Sequence, residues 1–317
     1  MGGRKVLKPS DAKKMNRLYI VESDLSRTGG VADHRLRLEA SHISAFAALV
    51  AAEILSKSKS SFPNSSSINH LKRLDSGLEK HQKWASEVAA DLLTNPKQSV
   101  VLAGSHLPKE VQLLAYSMNR ALGAIGSTID YIRTETSAES ISSFVDQVEK
   151  GNIERLIILG GNPVYQTKGF INWDELSKKL KSICRLGSSI DESSQIAEFH
   201  IGQSHYLESW DLGKTWDNTA IVPVQPLLAP LFDTVSESTV LSQLLGDDSD
   251  DYSQVKALHK SLSSGTKFED FLRLGIHPVV PTIAGDVDPT SSLLAIKGKN
   301  LIHPSFSSSN LEVLVIP

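Results

Sequence analysis

Short apolar runs alternate with helical periodicities along most of this chain. Leu18-Tyr19-Ile20-Val21 reads as a strand of β-favouring residues, and Ile43, Phe46, Ala47, Val50 and Ile54 then recur at helical spacing behind a Ser41 cap. Residues 56–67 are rich in lysine and serine and include Pro63, the composition of a linker. From Ser99 the alternation becomes regular. Ser99 to Ala103, Thr128 to Ile132, Arg155 to Leu159 and Ile183 to Leu186 read as strands. A helix opening near Pro108 presents Val111, Leu114, Ala115, Met118 and Leu122 on one face and stops at Gly123. Thr136 with Glu139, and Asn172 with Glu175, have the spacing of helix caps for the next two helices. Strands therefore recur roughly every 26–30 residues with a helix between them, the period of βαβ units. Right-handed crossovers then predict an α/β fold: a doubly wound, mostly parallel, Rossmann-like sheet with helices on both faces. Beyond Trp210 the prolines Pro223, Pro226 and Pro230 predict extended, turn-rich backbone, followed by an acidic loop from Gly246 to Tyr252 and a short helix from Phe268 to Leu274. Leu311 to Ile316 reads as an apolar strand without a sequel, as expected of a piece of a longer protein.

In open parallel sheets, ligands bind beyond the carboxyl ends of the strands. Three loops qualify by position: Gly104-Ser105-His106, Gly160-Gly161-Asn162-Pro163 and Gly187-Ser188-Ser189. Glycines there let a phosphate or base approach backbone N–H groups, and the Asn162 amide suits a nucleobase edge; equally, the glycines only permit a tight turn out of the strand. The G-x-G-x-x-G and Walker fingerprints are absent. His200, His205 and Glu208 lie close enough to sketch a metal site, but Phe199-His200-Ile201 alternates like a strand with one polar face, so no metal ligand is assigned. His34 reads as a surface or interface group. Gly202-Gln203-Ser204 begins a nucleophile elbow that His205 leaves unfinished, and no catalytic residue is assigned.

Composition narrows the picture. A formal net charge of -3 gives no reason to expect a nucleic acid or an anionic membrane as partner, and no apolar run approaches the roughly 20 residues of a membrane helix. The one cysteine, Cys184, falls in an expected buried strand and reads as an inert thiol. Iron–sulfur clusters need about four thiolates, so none is held by this chain alone.

One internal echo carries more than any single residue. The strand Leu18 to Val21 runs through Glu22 and a polar loop to Ala32-Asp33; the strand Ile183 to Leu186 runs through Gly187 and a polar loop to Ala197-Glu198. This doubled strand–acid–loop–Ala-acid pattern resembles the molybdopterin oxidoreductases of the DMSO/TMAO reductase superfamily. There, two Rossmann-like domains each hold one guanine dinucleotide arm of the molybdenum cofactor. The stretches Met15 to Ser23, Ala32 to Leu36, His205 to Trp210 and Val224 to Pro230 look similar to one branch, the large iron–sulfur, molybdopterin-like subunit of bacterial alternative complex III. The resemblance spans about Met15 to Pro278.

It implies the end of a preceding α/β domain over 1–55, a serine-rich linker over 56–70, a Rossmann-like third domain over 71–275 and a truncated following segment over 276–317. Its cofactor-contacting positions would be Glu22, Gly104, Gly160, Gly161, Asn162 and Pro163. The chain departs from the pattern where Gly187 replaces the second acid and Glu198 the second Asp. The implied reading is a scaffold or interaction domain without a molybdenum cofactor. It would lie beside the subunits of a membrane-bound electron-transfer complex, on the periplasmic side of the bacterial inner membrane, with iron–sulfur clusters only outside this chain. Two other readings stand beside it: part of an active oxidoreductase with molybdopterin guanine dinucleotide at the Gly160–Pro163 loop, and a stand-alone nucleotide-binding module.

Overall fold

Residues 8–59, 65–73, 78–133, 139–262 and 265–297 are described by a computed structural model. They form an α/β protein with parallel sheets, divided into two compact units: Met1–Tyr131 with Ala284–Pro317, and Ile132–Ile283.

The first unit opens with strand β1 (Tyr19–Glu22), which pairs in parallel with β2 (His34–Arg37). Helix α1 (Ile43–Lys57) follows, with alanines at 45, 48, 51 and 52 all buried, as are Phe46, Val50, Ile54 and Leu55. A helix apolar on so much of its circumference must be surrounded. Three helices meet it: α2 (Ser65–Arg73), α3 (Gln82–Thr94) and α4 (Lys109–Ala121). Leu38, Leu71, Leu78, Ala85, Leu114 and Met118 complete this core, joined by Leu293 near the end of the closing helix Thr290–Ala295. Residues before and after the expected 56–70 linker thus share one core. The two compact units divide at 131/132.

Ser99 to Ala103 forms no strand. Its extended backbone is held by a side chain instead: the fully buried Asn119 amide accepts from Val101 N (2.8 Å) and donates to Val101 O (2.8 Å), as a neighbouring strand would. Thr128 to Ile132 likewise makes only isolated bridges, Ile125 with Ile129 and Ile132 with Ile283. The two stretches expected as strands are therefore not strands: a ladder needs a partner strand that periodicity does not supply.

The second unit contains α5 (Ile141–Glu149), β3 (Arg155–Leu159), α6 (Pro163–Gln166), α7 (Trp173–Ser177), β4 (Ser182–Gly187), α8 (Glu192–Gln195) and β5 (Phe199–Gly202). Helix α5 is capped by Ser140, whose side chain accepts from Ser143 N; the expected cap residue Thr136 lies outside the described residues. Asn172 caps α7 by accepting from Glu175 N, as its spacing predicts. The strands form a parallel sheet in the order β3-β4-β5. Val148, Trp173 and Leu176 pack with Leu156 on one face, while along the other Ile157, Phe199 and Ile201 are 40%, 58% and 37% exposed. The chain continues through β6 (Asp211–Lys214), β7 (Ala220–Val224), α9 (Glu237–Leu244), α10 (Asp251–Leu262), α11 (Phe268–Leu274) and β8 (His277–Pro278). These three strands are antiparallel and enclose a small core of Ile221, Val255, Phe268 and Phe271. The apolar run Leu311 to Ile316 lies outside the described residues.

The central position of α1 makes its contacts costly to remove. Leu114→Ala, at a fully buried site in this core, is expected to lose about 2–5 kcal/mol in urea unfolding. Leu102→Ala, 75% exposed in the same unit, should stay within about 0.5 kcal/mol of the parent.

Candidate functional site

At the carboxyl end of β3 the backbone turns through two consecutive left-handed residues, Gly160 (φ 56°) and Gly161 (φ 53°). A Cβ makes that conformation unfavourable by about 1–2 kcal/mol per residue, so the pair of glycines is what allows a sharp exit from strand to helix. Asn162 then caps α6, with Pro163 in its first turn. Its Oδ1 accepts from Tyr165 N (3.2 Å) and Ser193 Oγ (2.7 Å), and its Nδ2 donates to Glu192 Oε2 (2.7 Å). The hydrogen bond from Asn162 holds the Glu192 carboxyl below the ordinary glutamate range. The amide expected to meet a base edge therefore ties its own loop to the loop after β4.

That second loop is organised by a residue the sequence reading passed over. Arg185 lies within β4 and is 3% exposed. Its Nη1 donates to Leu186 O (3.0 Å) and to Gly160 O, and its Nη2 to Asp191 Oδ2 (2.8 Å). Its Nε is buried without a hydrogen-bond partner among the described residues. Burial opposes ionisation of Asp191, but the hydrogen bonds from Arg185 and Ser194 outweigh it and hold the carboxyl below its usual range. Asp191 also closes a capping box with Ser194 at the start of α8. The guanidinium lies against Gly187: a Cβ there would stand 2.9 Å from Nη2, 3.0 Å from Cζ and 3.2 Å from Nε. An arginine inside the apolar run Ile183 to Leu186, six residues before an aspartate, was the available signal.

The two echoing segments have the same geometry. Tyr19 pairs with His34 and Cys184 with Phe199, an offset of 15 residues in both parallel ladders. Asp33 N donates to Leu18 O (3.0 Å), and Glu198 N donates to Ile183 O (2.9 Å), so the Ala-acid dipeptide closes both loops identically. Glu22 and Gly187 occupy equivalent strand ends. The side chain of Glu22 is 13% exposed. Its Oε1 accepts from Arg35 Nε (2.6 Å) and Ser26 N (3.4 Å), and its Oε2 from Ser26 Oγ (2.6 Å). A Cβ at Gly29 would overlap Oε1 at 1.8 Å, so the glycine leaves room for the carboxylate beneath the loop. Burial works against ionisation here too, but Arg35 and Ser26 prevail and hold Glu22 below the usual range.

The other expected residues are dispersed. Gly104 and Glu22 belong to the first unit, and Gly160 to Pro163 to the second. Gly104 O accepts from Gln112 Nε2 (2.7 Å), and a Cβ at this glycine would meet the His106 ring at 2.6 Å. His34 stacks on Tyr19 with ring centroids 4.7 Å apart. The Glu208 carboxylate accepts from the backbone N–H groups of His205 and Leu231, and the His205 ring lies against Tyr206. No group of three or more His, Cys, Asp or Glu is placed to hold a metal among the described residues. Cys184 lies half-buried in the middle of β4.

Because Asp191 is held below its ordinary value, about 3.9, its contribution to stability is complete above that pH and is lost as pH falls through the folded value. Asp191→Asn keeps the side chain's shape but strands the Arg185 charge. It is expected to cost about 3 kcal/mol at pH 7 in urea unfolding, with the difference from wild type shrinking at pH 3.

No family profile and no curated protein matches this sequence. Solved structures do match, in 37 chains. One is acetylene hydratase from Pelobacter acetylenicus, at a TM-score of 0.58 and 10% identity over 85% of this chain and 49% of that one. The chain thus spans about half the length of that protein, and the likeness at this identity is one of fold.

Proposed function

We propose that this chain is part of a large respiratory redox subunit built on the molybdopterin-oxidoreductase fold, and that it serves there as a scaffold and interaction domain. The fold likeness to acetylene hydratase, a molybdopterin enzyme of the DMSO reductase family, supports the superfamily. The doubled strand–loop–Ala-acid segment supports it from the sequence side, with the same offset and the same closing hydrogen bond in both copies.

The observation that carries the non-catalytic part of the reading is the state of the two strand ends. A guanine base presents its N1–H and N2–H groups to a carboxylate acceptor. Glu22 has both oxygens engaged by Arg35 and Ser26, and its equivalent in the second copy is Gly187, which has no acceptor side chain. Asn162 and Asp191 are engaged within their own loops. We read these engaged groups as a poor match for a guanine dinucleotide arm, and no chemical step is assigned to one. A single cysteine likewise gives this chain no iron–sulfur cluster of its own. By this reading the partners are the cluster- and haem-carrying subunits of an assembly such as bacterial alternative complex III, on the periplasmic face of the inner membrane.

The second reading, an active oxidoreductase with its nucleotide at the Gly160–Pro163 loop, draws on one observation. A Cβ built at Gly161 would meet nothing within 4 Å among the described residues, so this backbone is open to close approach.

Metal analysis with mass spectrometry of the released cofactor, on the whole protein, separates the two readings. The scaffold reading expects neither molybdenum nor guanine dinucleotide, and stoichiometric amounts of both would overturn it. For the 317-residue chain, millimolar GMP or GDP is expected to leave the melting temperature unchanged. Ligand at about 100 times its Kd would stabilise by about 2.7 kcal/mol, a readily seen shift.

A further inference from the structure

The guanidinium of Arg185, beside Gly187, has around its Nη groups the acceptors of a site for one planar cation. The flat side of that site is the glycine backbone, against which the guanidinium lies, with Nη2, Cζ and Nε 2.9, 3.0 and 3.2 Å from where a Cβ would be. Its acceptors are the carbonyl oxygens of Gly160 and Leu186 and the Asp191 carboxylate. A charge this deeply buried is tolerated only with acceptors of this kind around it. The equivalent strand end in the first unit independently pairs a carboxylate with a guanidinium, Glu22 with Arg35 at 2.6 Å. A guanidinium and the N1–C2–N2 edge of guanine present the same donor pattern: coplanar N–H groups on one carbon, suited to one carboxylate.

We infer that the slot at the end of β4 is a guanidinium site filled by the chain's own Arg185, and that it accepts a guanidine-type donor edge from outside only once that side chain is removed. The inference deepens the scaffold reading and rests on it for the nature of the ligand excluded. Arg185 is a positioning residue here: it joins the loop after β3 to the loop after β4.

Chemical rescue tests this. In the 317-residue chain, Arg185→Ala should melt at a lower temperature than wild type. Millimolar methylguanidinium should raise that temperature by several degrees, while equal ionic strength of sodium chloride should not, and wild type should gain nothing from methylguanidinium. A variant that responds to methylguanidinium no more than wild type does would overturn the inference, as would wild type stabilised by GDP through this loop. If Arg185→Ala does not fold, Gly187→Ala decides the matter. Its added methyl contests the guanidinium's place, so a lowered melting temperature supports the filled slot and an unchanged one overturns it. The outcomes are separable from those of the scaffold reading. Dinucleotide recovered from the whole protein would sink that reading and leave the rescue result standing, whereas failed rescue sinks this inference alone.

Discussion

One buried charge organises the strand ends of the parallel sheet in the second unit. Arg185 sits in the middle strand of a three-stranded parallel sheet, where its charge is tolerated because both Nη groups find acceptors, although Nε finds none among the described residues. Asp191 and the carbonyls of Gly160 and Leu186 are those acceptors, and meeting them fixes where two loops can go. The loop after β3 must present the Gly160 carbonyl inward, which its two left-handed glycines allow. The loop after β4 must start α8 with an aspartate, which also caps that helix. Asn162, Glu192 and Ser193 then join the same two loops a second time. The strand ends where an open α/β sheet offers a crevice are therefore knitted together by the protein itself.

The first unit meets a comparable need differently. Helix α1 is alanine-rich and buried on several sides, so α2, α3 and α4 approach it closely and one core spans residues on both sides of the serine-rich stretch. Where a sheet strand was expected at Ser99 to Ala103, a single buried amide satisfies the extended backbone from the side. Both solutions obey one constraint: a buried peptide group must be paired, but not necessarily with a strand.

The two strand–loop–strand segments join the units in kind. They share connection length, register and the hydrogen bond that closes the loop, and differ at the strand end, where one carries Glu22 and the other Gly187. In each, a guanidinium answers a carboxylate, but the roles are exchanged: the acid is at the strand end in the first copy and in the loop in the second. The same backbone has thus been closed from within by two different arrangements of one ion pair.

Much of this was legible in the residues. Apolar runs gave β1, β3 and β4, polar–apolar alternation gave β5, helical spacing gave α1 and α4, and the glycines at 160 and 161 marked a tight turn. The repeated Ala-acid dipeptide announced a doubled motif, and the equal spacing gives both parallel pairs the same 15-residue offset. What the chain alone could not decide were pairings between distant residues. Asn119 standing in for a strand, Leu293 completing a core with Leu38, and the Asn162 amide spent on Glu192 rather than left free are contacts across long sequence separations. Periodicity reports which way a side chain points relative to its own element, and only the packed structure supplies the partner it meets there.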